Sequence, residues 1–110
     1  MISGAILAVD TRGVIRTWSR EAEKLLGYSE TEALGQSIEL IIPPQLRGRH
    51  RAGFGRFVQT GISALPEVTT TSALHKSGET IKVLISVKAV HDARQSIVAV
   101  EATMKLREGG

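Results

Sequence analysis

Histidine and arginine carry most of the chemistry this sequence can offer, and they meet in one stretch, Arg47-Gly48-Arg49-His50-Arg51, with Arg56 beyond it. A neutral imidazole can ligate haem iron. A set of guanidinium groups can receive a phosphate or a carboxylate. Each feature also has a plainer account. An isolated histidine is satisfied by ordinary hydrogen bonds at the edge of a core or pocket, and arginines at this spacing make a solvated helix face. His75 and His91 stand apart, so the three histidines lack metal-ligand spacing. Thr69, Thr70, Thr71 and Ser72 offer hydroxyls to a polar ligand, although the strand preference of threonine explains them without one.

The rest of the sequence narrows the chemistry. There is no cysteine, which removes disulfides, thiolate nucleophiles and thiolate metal sites together. A cysteinyl-flavin photocycle and a cysteine-linked chromophore go with them. Haem, non-covalent flavin and no cofactor at all stay open. No G-x-S-x-G elbow, Walker A loop or G-x-G-x-x-G after a strand is present. Fourteen basic against eleven acidic residues leave a net charge of +3, weak footing for nucleic acid, and 4% aromatic residues give no stacking platform for bases. The expectation is a binding module, not an enzyme; the rival is a catalytic fragment that acts on a small acid through the helical arginines.

These groups need a scaffold, and 110 residues with 42% hydrophobic content suit one domain around one core. Residues 5–10 read as a strand, Thr11-Arg12-Gly13 as a turn, and residues 14–18 as the second arm of a hairpin. Ser19 caps a helix over 20–26 that Gly27 stops. Ser29-Glu30-Thr31-Glu32 has capping-box spacing and starts a second short helix, which Gly35 ends. Pro43-Pro44 opens a helix over 45–60. On it Leu46, His50, Phe54 and Phe57 share one face, while Arg47 and Arg51 share another. Gly48, Gly53 and Gly55 each weaken that helix by about 1 kcal/mol relative to alanine, so packing or a ligand must hold it. The last third is β: residues 68–75, a turn at Lys76-Ser77-Gly78-Glu79, an alternating strand over 81–89, a loop over 91–95, and residues 97–106, apolar on both faces as in a central strand. No apolar run is long enough to span a membrane, and the first residues lack the basic region of a secretory signal; a cytoplasmic setting is expected.

This order of motifs resembles a PAS domain across about residues 4–106. The carrying residues are Ala8-Val9-Asp10-Thr11-Arg12-Gly13-Val14-Ile15 with Trp18-Ser19; Glu23, Leu25-Leu26-Gly27-Tyr28-Ser29-Glu30 and Leu34-Gly35-Gln36-Ser37; Ile42-Pro43-Pro44 before Arg49-His50-Arg51; and the Lys76-Ser77-Gly78-Glu79 turn. The resemblance implies an α+β fold, a five-stranded antiparallel sheet with short helices covering one face. It implies a single sensor domain over 1–110, cut from a larger signalling protein such as a two-component one. Such a domain reports to an attached output domain (a kinase, cyclase or transcription regulator) and pairs into a homodimer. A small-molecule ligand would sit in a modest apolar pocket bordered by Leu46, His50, Phe54, Phe57, Val83, Ile85 and Val100. The Arg-x-Arg-His context is also similar to that of oxygen-sensing haem-PAS kinases, which makes His50 the axial ligand in the alternative of a haem-based gas or redox sensor. Thr69 stands near the place of their ligand-gating arginine. The family's terminal Asp-Ile-Thr is here Lys105-Leu106-Arg107, so the coupling contact of that carboxylate is lost. No direct nucleic-acid contact and no membrane segment within the chain are expected. Self-association is expected through the outer sheet face or the chain ends, because residues 83–87 and 97–100 carry apolar residues on both faces, for example Leu84 and Ile97.

Overall fold

A turn built by Asp10 starts the fold. Its carboxylate accepts the backbone N–H groups of Arg12 (2.9 Å) and Val14 (3.1 Å) and the Nε–H of Arg16 (3.1 Å). Gly13 follows at φ 81°, a conformation that costs a residue with a Cβ about 1–2 kcal/mol. The chain thereby reverses from β1 (Ala5–Asp10) into β2 (Ile15–Trp18). The computed structural model describes residues 4–62 and 65–108.

The helices follow from their caps. Ser19 Oγ accepts from Ala22 N–H and also from Ile6 N–H, so one hydroxyl both starts α1 (Arg20–Leu26) and ties it to β1. Gly27 ends α1 in the left-handed region. Ser29 and Glu32 form a complete capping box on α2 (Glu30–Ala33). Two 3-10 turns follow, Ile38–Ile41 and Pro44–Leu46, before α3 (Arg47–Thr60). The long helix therefore begins two residues later than the proline pair predicts, because the prolines set a tighter turn first. The 38–41 turn has no counterpart in the hydrophobic spacing of the sequence.

The remaining strands are β3 (Thr69–Leu74), β4 (Thr80–His91) and β5 (Ile97–Leu106). All pairs are antiparallel, in the order β2-β1-β5-β4-β3. The strand read as central, β5, lies in the middle. Register sets the two faces: Val9 is opposite Val100, Leu7 opposite Ala102, and Ile85 opposite Met104. With Val83, Trp18, Leu26 and Ile41, all of these but the half-buried Ile85, which packs against them, form the core between sheet and helices. Fully burying a side chain of this size stabilises by about 1.5–3 kcal/mol. No polar or charged residue among those described is buried. One expectation is corrected here. Ile97 does not join the outer face. Its Cδ1 would lie 3.3 Å from a Cβ added at Gly61, which follows α3, so it packs on the helix side. Next to it a register shift separates Val90 from His91, and Val98 is exposed instead.

Candidate functional site

Helix α3 covers the sheet with little apolar grip. Of its fourteen residues only Phe57 is buried. A Cβ added at Gly48, Gly53 or Gly55 would meet no atom within 4 Å, so these glycines answer no close approach. Polar contacts hold its N-terminal half instead. Arg47 Nε–H donates to the Ile42 carbonyl at 3.0 Å. Arg51 grips the Glu39 carboxylate with two N–H groups. Exposed ion pairs of this kind contribute about 0–1 kcal/mol each. Helical propensity, apolar burial and ion pairing are thus all weak in α3, while the sheet beneath is closely packed.

The residues proposed for the pocket divide into two groups. Val83 (0% exposed), Val100 and Phe57 are buried in the core. Leu46, His50, Phe54 and Ile85 are half-buried. His50 stacks on Phe54 with ring centroids 5.7 Å apart and planes 22° apart. Phe54 in turn reaches the β1–β2 turn, its ring 3.9 Å from a Cβ added at Gly13, beside the Ile38 side chain. The N-terminal half of α3 is thus seated on the 38–41 turn and the hairpin turn. On the sheet's inner face, cover thins toward β3 and β4: Thr69, Thr71, Ile85, Val87 and Ala89 are half-buried, whereas Ala102 and Met104 of β5 are buried.

Glu39 is the functional neighbour that motif reading misses. It lies eleven residues before His50, in a turn with no apolar period, and the one hint is Ser37, whose Oγ accepts the Glu39 N–H. The Arg51 guanidinium holds the Glu39 carboxyl below the usual carboxylate range, with Arg47 and His50 adding to the effect. Burial pushes the His50 imidazole below its ordinary value, and the Glu39 charge only partly opposes this. His50 is therefore neutral at neutral pH, the form in which an imidazole can ligate a metal. The donor chemistry thus fits haem iron, which His50 would hold through a ring nitrogen, while Phe54, stacked on the face of the imidazole, would support the ring. Among the described residues no cluster of three or more His, Asp or Glu side chains could hold a bare metal ion.

A second junction closes the other end of the helical layer. Lys76 N–H donates to the Leu26 carbonyl at 2.9 Å, and Lys76 Nζ pairs with Glu32. Trp18 Nε1–H donates to the Tyr28 carbonyl at 2.9 Å. Trp18 is core and Tyr28 sits at a helix junction, as their sequence context suggests. Two open recesses flank the end of β5. One, of about 420 Å³, is lined by Leu84 and residues 105–108. The other, of about 300 Å³, lies between α1 and the start of β1. Neither includes a residue proposed for the pocket.

Comparison with known proteins places this architecture. The family profile described as the PAS fold matches residues 2–105. Sensor protein FixL of Bradyrhizobium diazoefficiens is 37% identical over 59 residues, which is 54% of this chain and 12% of that protein. The chain thus spans about an eighth of that curated relative. The crystal structure of the PAS domain of a Colwellia psychrerythraea protein superposes with a TM-score of 0.80 at 20% identity, covering 96% of this chain and 87% of that one. The PAS domain of the Cronobacter turicensis quorum-sensing receptor RpfR, in complex with C12:0, gives 0.74 at 19% identity over 98% and 97%. This chain belongs to the PAS family of sensory domains.

Proposed function

We propose that this PAS domain binds a small ligand between α3 and the inner face of the sheet, and that it passes the change in α3 to an attached output domain. The observation that carries the reading is the mismatch between the two layers. The sheet floor is fully packed at Val83 and Val100, while α3 above it buries one side chain and contains three interior or near-terminal glycines that nothing requires. A cover of low local stability is what an entry route needs. Leu46, His50, Phe54, Phe57, Val83, Ile85 and Val100 border the site. The domain acts by binding, not by catalysis, within a longer cytoplasmic signalling protein whose output is a kinase, cyclase or transcription regulator.

The test is a fragment screen by ligand-detected NMR, followed by mapping of amide shifts. Shifts confined to α3 and the inner face of β3–β5 are expected. Hits whose shifts fall only on the outer face, or no hits at all, overturn the reading.

The outer sheet face supports self-association. Ile6 is 40% exposed there, and Leu84, half-buried, points the same way from β4. Exposed apolar patches of this kind mark interfaces. Sedimentation should show a dimer that Leu84→Glu dissociates; a monomer at millimolar concentration refutes it.

A second reading has its own observation, the neutral, half-buried His50. In it the chain is a haem-based gas or redox sensor with His50 as axial ligand, and the exposed Arg49 and Arg56 would be available to its acidic groups. Bound haem would supply the gas-ligating iron. Protein prepared with hemin should then show a Soret band that His50→Ala abolishes while the far-UV spectrum stays folded. Protein that takes up no hemin excludes this reading and leaves the first standing.

A further inference from the structure

The charges on the outer face of the sheet are matched along part of it and unmatched at one end. Lys88 pairs with Glu101 at 3.4 Å, and Arg16 pairs with Asp10 at 3.0 Å. Where β5 ends, cations gather instead. The register sets Lys105 of β5 across from Leu84 of β4. Arg107 N–H donates to the Lys82 carbonyl at 3.0 Å, which carries the ladder one step past β5 and puts Arg107 across from Lys82. Lys82 Nζ donates to the neutral hydroxyl of Ser72 at 3.0 Å. Among the described residues, Lys82, Lys105 and Arg107 form no ion pair with an acid. Like charges placed opposite each other on a sheet repel. The same corner holds the recess of about 420 Å³, lined by Leu84, Lys105, Leu106, Arg107 and Glu108. Glu108 is the one acid in that lining. Leu84 is half-buried, and Leu106 is 49% exposed.

We propose that this end of the outer face receives an acidic amphipathic helix of a partner protein, with an apolar side chain in the recess beside Leu84 and carboxylates on Lys82, Lys105 and Arg107. This deepens the reading of the outer face as an interface and rests on it. Charge is the first argument. An acidic partner relieves the repulsion among the three cations and is steered to them. Backbone chemistry selects a helix. β4 and β5 pair with each other over Val83 to His91, so an extended segment laid across them finds no free ladder groups, whereas a helix satisfies its own. The spacing agrees. Lys105 and Arg107 are two steps apart along the ladder, about 6.7 Å, and side chains four apart on a helix are about 6 Å apart. A second copy of the chain fits this end poorly. Meeting it face to face, the copy brings the same cations, while its Glu101 and Asp10 are already paired. A flat anionic bilayer would meet the cations and leave the recess unfilled.

The experiment uses the whole 110-residue chain and three stapled helical peptides with one leucine pattern. They carry glutamates four apart, glutamines at the same places, or lysines there. Affinity is read by fluorescence anisotropy in 50 and 300 mM NaCl, and the site from the amide resonances that move. The glutamate peptide should shift residues 82–84 and 105–107. The glutamine peptide should bind at least tenfold more weakly and the lysine peptide not at all. Affinity for the glutamate peptide should fall at least tenfold at the higher salt, where exposed charges are screened. Lys105→Gln with Arg107→Gln removes like charges and adds none. That variant should keep a urea midpoint no lower than the wild type and lose at least tenfold in affinity for the glutamate peptide; unchanged affinity overturns the proposal. Equal binding of glutamate and glutamine peptides at these amides overturns the choice of an acidic partner and keeps the face as an interface. Shifts confined to other surfaces, or none, overturn the proposal, and if the wild type also stays monomeric in sedimentation the reading of the outer face falls with it. Vesicles of phosphatidylglycerol and phosphatidylcholine are the control. Sedimentation of the domain with them through Lys105 and Arg107, with no binding of the glutamate peptide, overturns the proposal in favour of a lipid surface.

Discussion

Replacing Gly53 and Gly55 with alanine should tighten α3 without touching anything else. Neither glycine has a positive φ, and an added Cβ meets no atom within 4 Å at either place. The change therefore acts through helix propensity alone, about 1 kcal/mol for each interior glycine. Helix propensity is a per-residue quantity and the added methyls have no shared partner, so the two effects should add to about 2 kcal/mol. Gly48, in the first turn, would add less. How the gain appears depends on how α3 opens. If it unfolds only with the whole domain, the midpoint of thermal denaturation rises by roughly 10 °C, from about 4–8 °C per kcal/mol in a domain of this size. If α3 opens by itself, the midpoint barely moves, and amide exchange within α3 slows about 30-fold, at tenfold per 1.4 kcal/mol. The weak apolar grip of α3 favours the second outcome. Circular dichroism melts and site-resolved hydrogen exchange on the double variant separate the two. A variant that is neither more thermostable nor better protected, or one that is less stable, refutes the claim that these glycines loosen the cover. If the looseness admits ligand, the same variant should bind a fragment whose shifts map to α3 more slowly.

Three other perturbations follow from the same geometry. Gly27→Ala should be strongly destabilising, because φ is +86° and the new Cβ would lie 2.7 Å from His75 Cε1; the left-handed strain alone is about 1–2 kcal/mol. Adding His75→Ala should restore the part due to the ring and leave the strain, which a urea double-mutant cycle resolves. Trp18→Phe leaves the Tyr28 carbonyl without the indole N–H that it now accepts and should cost about 1–3 kcal/mol, seen as a lower urea midpoint with an unchanged slope. Stability should fall with acid in two stages. His50 has a folded value below its ordinary 6.5, so the unfolded chain takes up the proton first, and stability is lost as pH falls from about 6.5 toward the folded value. Glu39, held down by Arg51, and Glu32, held down by Lys76, have the same sign. Their contribution is complete above about 4.5 and is lost below it as pH falls through their folded values. Urea unfolding across pH should show both stages, and His50→Phe should remove only the upper one; a single stage below 5 in the wild type contradicts the burial of His50.

Much of the architecture is readable in the residues because it is encoded locally. The Asp10–Gly13 turn, the Ser19 cap, the Gly27 stop and the Ser29–Glu32 capping box are each complete within a few positions, and a local hydrogen bond needs no distant partner to be foreseen. The central place of β5 was also legible, since a strand with neighbours on both edges and cover on one face runs apolar along its length. What the sequence by itself could not determine are pairings set by distance along the chain. Glu39 reaches Arg51 twelve residues away through a 3-10 turn with no hydrophobic period. Lys76 reaches Glu32 across 44 positions because the β3–β4 turn lands on the α1–α2 junction. Helical spacing puts Phe54 and Phe57 on one face, but only packing decides that Phe57 enters the core while Phe54 leans over Gly13. The side of the sheet taken by Ile97 depends on a register shift between Val90 and His91, and one residue of slip sends a side chain to the opposite face. Periodicity fixes which residues share a side; the closing of the sheet against the helices fixes which of them are sealed and which stay half-buried.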